Sequence, residues 1–197
     1  MGGCQCRYAR QMSRAAVILA AGGGSRFGKP GEKLLTLTHG RPLLAHAIAP
    51  AAEAGLDELV IVGGPTDLTD IAPPEATILG NSQWEAGQAT SLRIAIDWCS
   101  RQGHDSVVVG LGDLPGLTAE AWKAVADAPG GPIVVATYKG KRGHPVRLDA
   151  DVWPSLPIDG DEGARTLMAR HPELVTEVAC EGRPIDIDTR EDLRRWS

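Results

Sequence analysis

Apolar runs of strand length alternate along this chain with stretches in which apolar residues return every three or four positions. Residues 15–21 (AAVILAA), 58–62 (ELVIV), 76–79, 106–111 (SVVVGL), 133–138 (IVVATY) and 174–179 are short runs, the pattern of strands buried on both faces of a parallel sheet. Between them, 41–54 places Leu43, Leu44, Ala47 and Ile48 on one face, with Gly55 as a stop and Pro50 predicting a kink or an early end. Residues 88–99 gather Leu92, Ile96 and Cys99 on one side, Thr118 is placed to cap a helix through 128, and 163–170 and 190–196 read as further helices. The same reading gives a short helix at 66–71, a loop at 81–87, a cationic loop at 139–145 and a short strand at 146–148. Alternation of this kind predicts an α/β fold, a three-layer Rossmann-like nucleotide-binding sheet, mainly parallel, with right-handed crossovers. No repeat or linker interrupts it, so 1–14 is expected to be a flexible tail and 15–197 a single domain.

The first apolar run breaks directly into Gly22, Gly23 and Gly24, followed by Ser25, Arg26, Gly28, Lys29 and Lys33. Glycines that tolerate positive φ let backbone N–H groups converge on one anion, and the cations neutralise it, so this is a candidate phosphate loop. The dinucleotide fingerprint fails, because Phe27 stands where the third glycine belongs. Walker A fails as well: Gly23, Gly28 and Lys29 fit, but Pro30 takes the place of the magnesium-binding hydroxyl.

Composition narrows the ligands. A net charge of −5 gives no basic field for nucleic acid, and 4% aromatic residues leave few stacking platforms, so any phosphate must be held by local cations. Four cysteines, at 4, 6, 99 and 180, are too scattered for a disulfide framework, and Cys4-x-Cys6 has no histidine or further cysteine near it. No run approaches the roughly 18 apolar residues of a membrane span. The expectation is a soluble, cytoplasmic protein that binds neither nucleic acid nor membrane.

Two acidic constellations stand where ligands collect, beyond the carboxyl ends of the strands. Asp113 follows SVVVGL and is placed either to hold a metal opposite the glycine loop or to cap the turn before Leu114-Pro115. Asp186 and Asp188 share one side of an extended segment, facing a cation, while Asp188 is equally placed to cap the last helix. Trp84 in the 81–87 loop reads as a packed aromatic at least as well as a ligand contact.

LAAGGGSRFG followed by Lys33 resembles the L-A-A-G-x-S-x-R-x-G signature and downstream lysine of the molybdenum cofactor nucleotidyltransferases, the MobA/MocA-like NTP transferases that attach CMP or GMP to molybdopterin. Three later motifs occur in the family's order. Asn81, Trp84 and Gly87 precede Ser91-Leu92-Arg93, Gly143-His144-Pro145 matches a G-H-P element near the pterin, and Asp186-Ile187-Asp188-Thr189 runs on through Glu191, Asp192 and Leu193. The resemblance implies a nucleotidyltransferase, GT-A-like fold. In it Leu19, Ala20, Ala21, Gly22, Gly23, Gly24, Ser25, Arg26, Lys33, Gly64 and Ser91 bind the nucleotide, and Arg26, Lys33 and Asp113 act on the transferred group. It further implies that Asp113, Asp188 and Asp186 hold Mg2+ and that Asn81, Arg93 and His144 meet the acceptor. An insertion around Gly31 shifts Lys33 along the chain, which leaves Lys29 as its rival. The implied partners are CTP or GTP, a molybdopterin-type phosphorylated acceptor and a molybdenum-dependent dehydrogenase. A guanylyltransferase, a sugar-phosphate nucleotidyltransferase and a non-catalytic cofactor carrier are the rivals. His39, His46, His104 and His171 receive no role.

Overall fold

The structure, a computed structural model, describes residues 12–22 and 31–196. In chain order its elements are β1 (Arg14–Ala20), α1 (Glu32–Leu35), β2 (Leu37–Thr38), β3 (Arg41–Pro42), α2 (Leu43–Glu53), β4 (Glu58–Gly63), β5 (Thr77–Gly80), α3 (Gln88–Gln102), β6 (Ser106–Leu111), α4 (Ala119–Asp127), β7 (Ile133–Tyr138), β8 (Lys141–Asp149), α5 (Arg165–Arg170), β9 (Val175–Ala179) and α6 (Arg190–Trp196). Seven strands form one sheet in the order β5-β4-β1-β6-β8-β7-β9, and among the described residues β2 pairs with β3 alone. Within the large sheet β8 alone runs against its neighbours.

Alternation along β1 explains the layers. Ala15, Val17 and Leu19 face one side, with Leu92, Ile96 and Cys99 of α3 and Leu167 of α5. Ala16, Ile18 and Ala20 face the other, with Leu44 and Ile48 of α2 and Trp122 and Val125 of α4. Both faces are covered, which is why the strand sequences read as continuous apolar runs. The chain adds β4 and β5 on one side of β1 and then crosses to place β6 on the other. The crevice where strand order reverses therefore opens between the carboxyl ends of β1 and β6, the usual ligand position in such sheets.

Several expectations shift. The strand begins at Arg14, and Ser13 is tied down through its N–H to Asp105 (2.8 Å). α2 continues three residues past Pro50, because the proline sits in its last turn. No helix forms at 66–71: Asp67 accepts from the N–H and hydroxyl of Thr69, an Asx turn that competes with helix, and a single turn closes on the Leu68 carbonyl. The cationic segment is a turn at Lys139–Gly140 only, since Lys141 onward already pairs with β7. Thr118 does cap α4, accepting from Ala121 N–H at 3.1 Å. Among the described residues no helix is long and apolar enough to cross a membrane.

Candidate active site

At the crevice, Leu19 of β1 pairs with Leu111 of β6, and Gly112 N–H donates to the Leu19 carbonyl at 2.9 Å. The two strand ends thus deliver Ala20, Ala21 and Gly22 beside Asp113. These residues, with Leu19, Lys33, Ser91 and Leu111, line one cavity of about 330 Å³. Gly64 lies immediately behind it, so close that a side chain there would stand 2.9 Å from the Ala21 carbonyl.

Lys33 reaches this place through a short helix. Gly31, at φ 81°, turns the chain into α1, and any Cβ on it would run into the Thr66 hydroxyl. The resulting lysine is 5% exposed and donates to Asp113 Oδ2 at 2.8 Å and Asp188 Oδ1 at 3.3 Å. Burial pulls its ammonium down, but the two carboxylates outweigh that and hold it above the ordinary lysine value, so it stays charged.

Thr189, the residue after Asp188, caps α6. Thr189 Oγ1 accepts from Asp192 N–H (3.1 Å), and Asp192 Oδ2 accepts from Thr189 N–H (2.9 Å), a reciprocal capping box. Asp113 likewise spends its carboxylate on Lys33 rather than on its own turn. Asp113, Asp186 and Asp188 each offer an oxygen within 4.8 Å of the others. Burial, and then the charges of Asp113 and Asp188, push the Asp186 acid above the usual carboxylate range, with Lys33 acting in the opposite direction. Three crowded hard oxygen donors, two of them bonded to one lysine, fit a hard divalent cation such as Mg2+.

His144 lies in a neighbouring cavity of about 360 Å³ that shares Gln88 and Leu111 with the first. Its position comes from a bulge. Val135 pairs with Val146 but Ala136 pairs with Gly143, so His144 and Pro145 are extra residues on β8. Proline, with no N–H for the ladder, suits such a place. The Tyr138 hydroxyl satisfies the displaced His144 carbonyl (2.8 Å), and the ring Nδ1 donates to the Val109 carbonyl (3.1 Å). Burial lowers the imidazole pKa, so the ring is neutral and offers Nε2 as an acceptor.

Two expected contacts are placed elsewhere. Asn81 is 2% exposed and fully bonded inside the protein, and Arg93 is on the outer face of α3, paired with Asp97 at 3.1 Å. Gly23, Gly24, Ser25, Arg26 and Lys29, with Cys4 and Cys6, lie outside the described residues. Glu85, Gln88 and Asp161, which line the first cavity with Trp84, and Arg165 in the second belong to none of the roles read from the chain. Asp161 arrives because Gly160 exchanges backbone bonds with Ala86 and Ala89 across Gly87, a long-range contact with no local pattern.

The sequence profile of the MobA-like NTP transferase domain matches residues 16–175. The chain belongs to this family. Among curated relatives of this MobA-like chain, the bifunctional protein GlmU of Streptomyces coelicolor is 32% identical over 168 residues, 81% of this chain and 33% of that protein. The chain therefore spans about a third of the length of that relative. The 2-C-methyl-D-erythritol 4-phosphate cytidylyltransferase of Cereibacter sphaeroides is 31% identical, covering 68% of this chain and 65% of its own. Rv0371c of Mycobacterium tuberculosis H37Rv superposes with a TM-score of 0.80 at 27% identity, over 94% of this chain and 97% of that one. A manganese complex of the same protein gives a TM-score of 0.78 at 26% identity, over 93% and 97%.

Proposed function

We propose that this protein transfers a nucleoside monophosphate from an NTP to the phosphate of a small acceptor and releases pyrophosphate, with CTP as donor and a molybdopterin-type cofactor as acceptor. The observation that carries the reading is the buried Lys33 held between Asp113 and Asp188 at the carboxyl ends of β1 and β6. An acceptor phosphate oxygen forms the new bond to the α-phosphorus while the bond to the bridging α–β oxygen breaks, and the electron pair leaves with pyrophosphate. No side-chain nucleophile is needed, so positioning and charge neutralisation carry the rate. Lys33 neutralises charge at the transferred group. Ala20, Ala21 and Gly22 flank the nucleotide, and Arg26 and the Gly23–Gly24 amides take the outer phosphates. Asp113, Asp186 and Asp188 would hold Mg2+, which supplies Lewis-acid neutralisation of the triphosphate.

The acceptor assignment rests on the G-H-P and D-I-D-T motifs, with His144 in the cavity that adjoins the first at Gln88 and Leu111. A sugar- or polyol-phosphate acceptor is the second reading, favoured by the names of the GlmU and methylerythritol phosphate relatives. The proposed setting is cytoplasmic, with a molybdenum-dependent dehydrogenase receiving the product. The test is pyrophosphate release with each of the four NTPs against molybdopterin, glucosamine 1-phosphate and methylerythritol 4-phosphate. Release with CTP and molybdopterin, lost in Asp113→Ala, is the expected result. GTP preference moves the reading to a guanylyltransferase, turnover confined to the other acceptors moves it to the second reading, and pterin binding without pyrophosphate makes the protein a carrier.

A further inference from the structure

Asn81 lies just after β5, 2% exposed, and its hydrogen bonds fix the orientation of its amide and the acceptor role of the two hydroxyls beside it. The backbone N–H of Gln83 can only donate, so the Asn81 atom 2.8 Å from it is the carbonyl Oδ1. The amide Nδ2 must then face Thr90 Oγ1 at 2.8 Å and Ser91 Oγ at 2.9 Å. Its two hydrogens are consumed there, and both hydroxyl oxygens act as acceptors. Thr90 directs its own hydrogen to the Gly87 carbonyl at 2.8 Å, with the Gln83 carbonyl a longer second acceptor at 3.3 Å, and the Gly87 carbonyl also takes Thr90 N–H at 3.2 Å. That carbonyl is one a serine in the first turn of α3 would ordinarily use. Ser91 is 3% exposed yet lines the 330 Å³ cavity, so its hydroxyl hydrogen has the ligand as its natural destination.

We propose that Asn81 is a positioning residue that presents the Ser91 hydroxyl as an obligate donor, so that the nucleotide must offer a hydrogen-bond acceptor at that point. The inference rests on the nucleotide reading of this cavity and adds the sense of one hydrogen bond within it. Asn81→Asp is nearly isosteric but replaces the amide donor with an oxygen that needs hydrogens, so Thr90 and Ser91 turn toward it and the Ser91 hydrogen is withdrawn from the ligand. Thr90→Val breaks the other arm of the network without redirecting Ser91.

The experiment measures NTP affinity by calorimetry and steady-state KM values for NTP and acceptor, with thermal melting of each variant as the folding control. Asn81→Asp and Ser91→Ala should each weaken NTP binding about tenfold, the size of one lost hydrogen bond, with acceptor KM unchanged. The double variant should be no worse than either single one, whereas simple charge repulsion from the new Asp would add to the loss of Ser91. Thr90→Val should lower the melting temperature and leave NTP affinity as it was. Wild-type affinity in Asn81→Asp, additivity in the double variant, or equal weakening by Thr90→Val would each overturn the inference while leaving nucleotide binding intact. A wild-type chain that binds none of the four NTPs would instead overturn the functional reading, and this inference with it.

Discussion

Lys33 is a cation enclosed by two acids and nearly sealed from water, and its charge is what lets Asp113 and Asp188 stand together. Lys33→Met keeps the volume and removes the charge. We expect kcat to fall by about 10²–10³ or more, the usual cost of losing one preorganised donor aimed at developing negative charge, measured by pyrophosphate release at saturating NTP. Lys29→Ala, assayed beside it, should fall by much less, since among the described residues Lys33 is the lysine bonded to Asp113. Equal losses would return the role to both. Asp188 is bonded to the same ammonium, so Lys33→Met should also alter the dependence of rate on magnesium concentration.

At the scale of elements, α6 begins with a device that acts on the residue before it. The box between Thr189 and Asp192 fixes where the chain turns after Asp188. Asp192→Ala should lower the denaturation midpoint, because the Thr189 N–H loses its acceptor in the box. It should also raise the magnesium concentration needed for half-maximal rate, because the neighbouring carboxylate loses its fixed starting point. A change in stability with an unchanged magnesium requirement would restrict the box to holding the helix. Much of this architecture is legible in the chain itself. SVVVGL and IVVATY are read to the residue as β6 and β7, because strands covered on both faces leave continuous apolar runs. Asp113 is also readable as an acid after a strand, and Lys33 as one of two candidate lysines after the glycine loop, Lys29 being the other. What fails is local pattern against long-range bonding. Residues 66–71 have helical spacing but yield to the Asp67 turn, and Lys141–Pro145 read as a loop although they belong to β8. Asn81 matches a motif associated with ligands, yet its partners lie in its own fold.

Across the whole molecule the sheet has two differently built ends. Acids and Lys33 gather at the ligand edge, while at the opposite edge Glu58 ties β4 to β5, α3 and the start of β1. Its carboxylate accepts from Thr77 (2.7 Å), Trp98 (2.9 Å) and His104 (2.8 Å), and His104 Nδ1 meets Ser13 Oγ at 2.8 Å. Burial pushes the Glu58 acid up, but these hydrogen bonds outweigh it and hold the group below the usual glutamate range. A depressed folded-state value means the stabilisation is complete above the unfolded pKa of about 4.3 and is lost as pH falls through the lower folded value. Glu58→Gln should therefore destabilise by about 1–3 kcal/mol at pH 7, with the gap in melting temperature closing below about pH 4. Its kcat should match wild type, since this clamp lies at the far end of the strands from Asp113. The reverse test uses the ligand edge: NTP with magnesium at about a hundred times its Kd should stabilise the wild type by about 2.7 kcal/mol, and Asp113→Ala should abolish that gain in a thermal melt.

The two surplus residues in β8, His144 and Pro145, interrupt what would otherwise be an unbroken hairpin with β7. Robustness and usefulness consequently pull this hairpin in opposite directions. A chain shortened by both would zip its ladder closed, resist heat better, and present no imidazole to the second cavity. Selecting a library purely for survival at high temperature should enrich such deletions, and under the proposed acceptor role of His144 the survivors should have forfeited their grip on the acceptor.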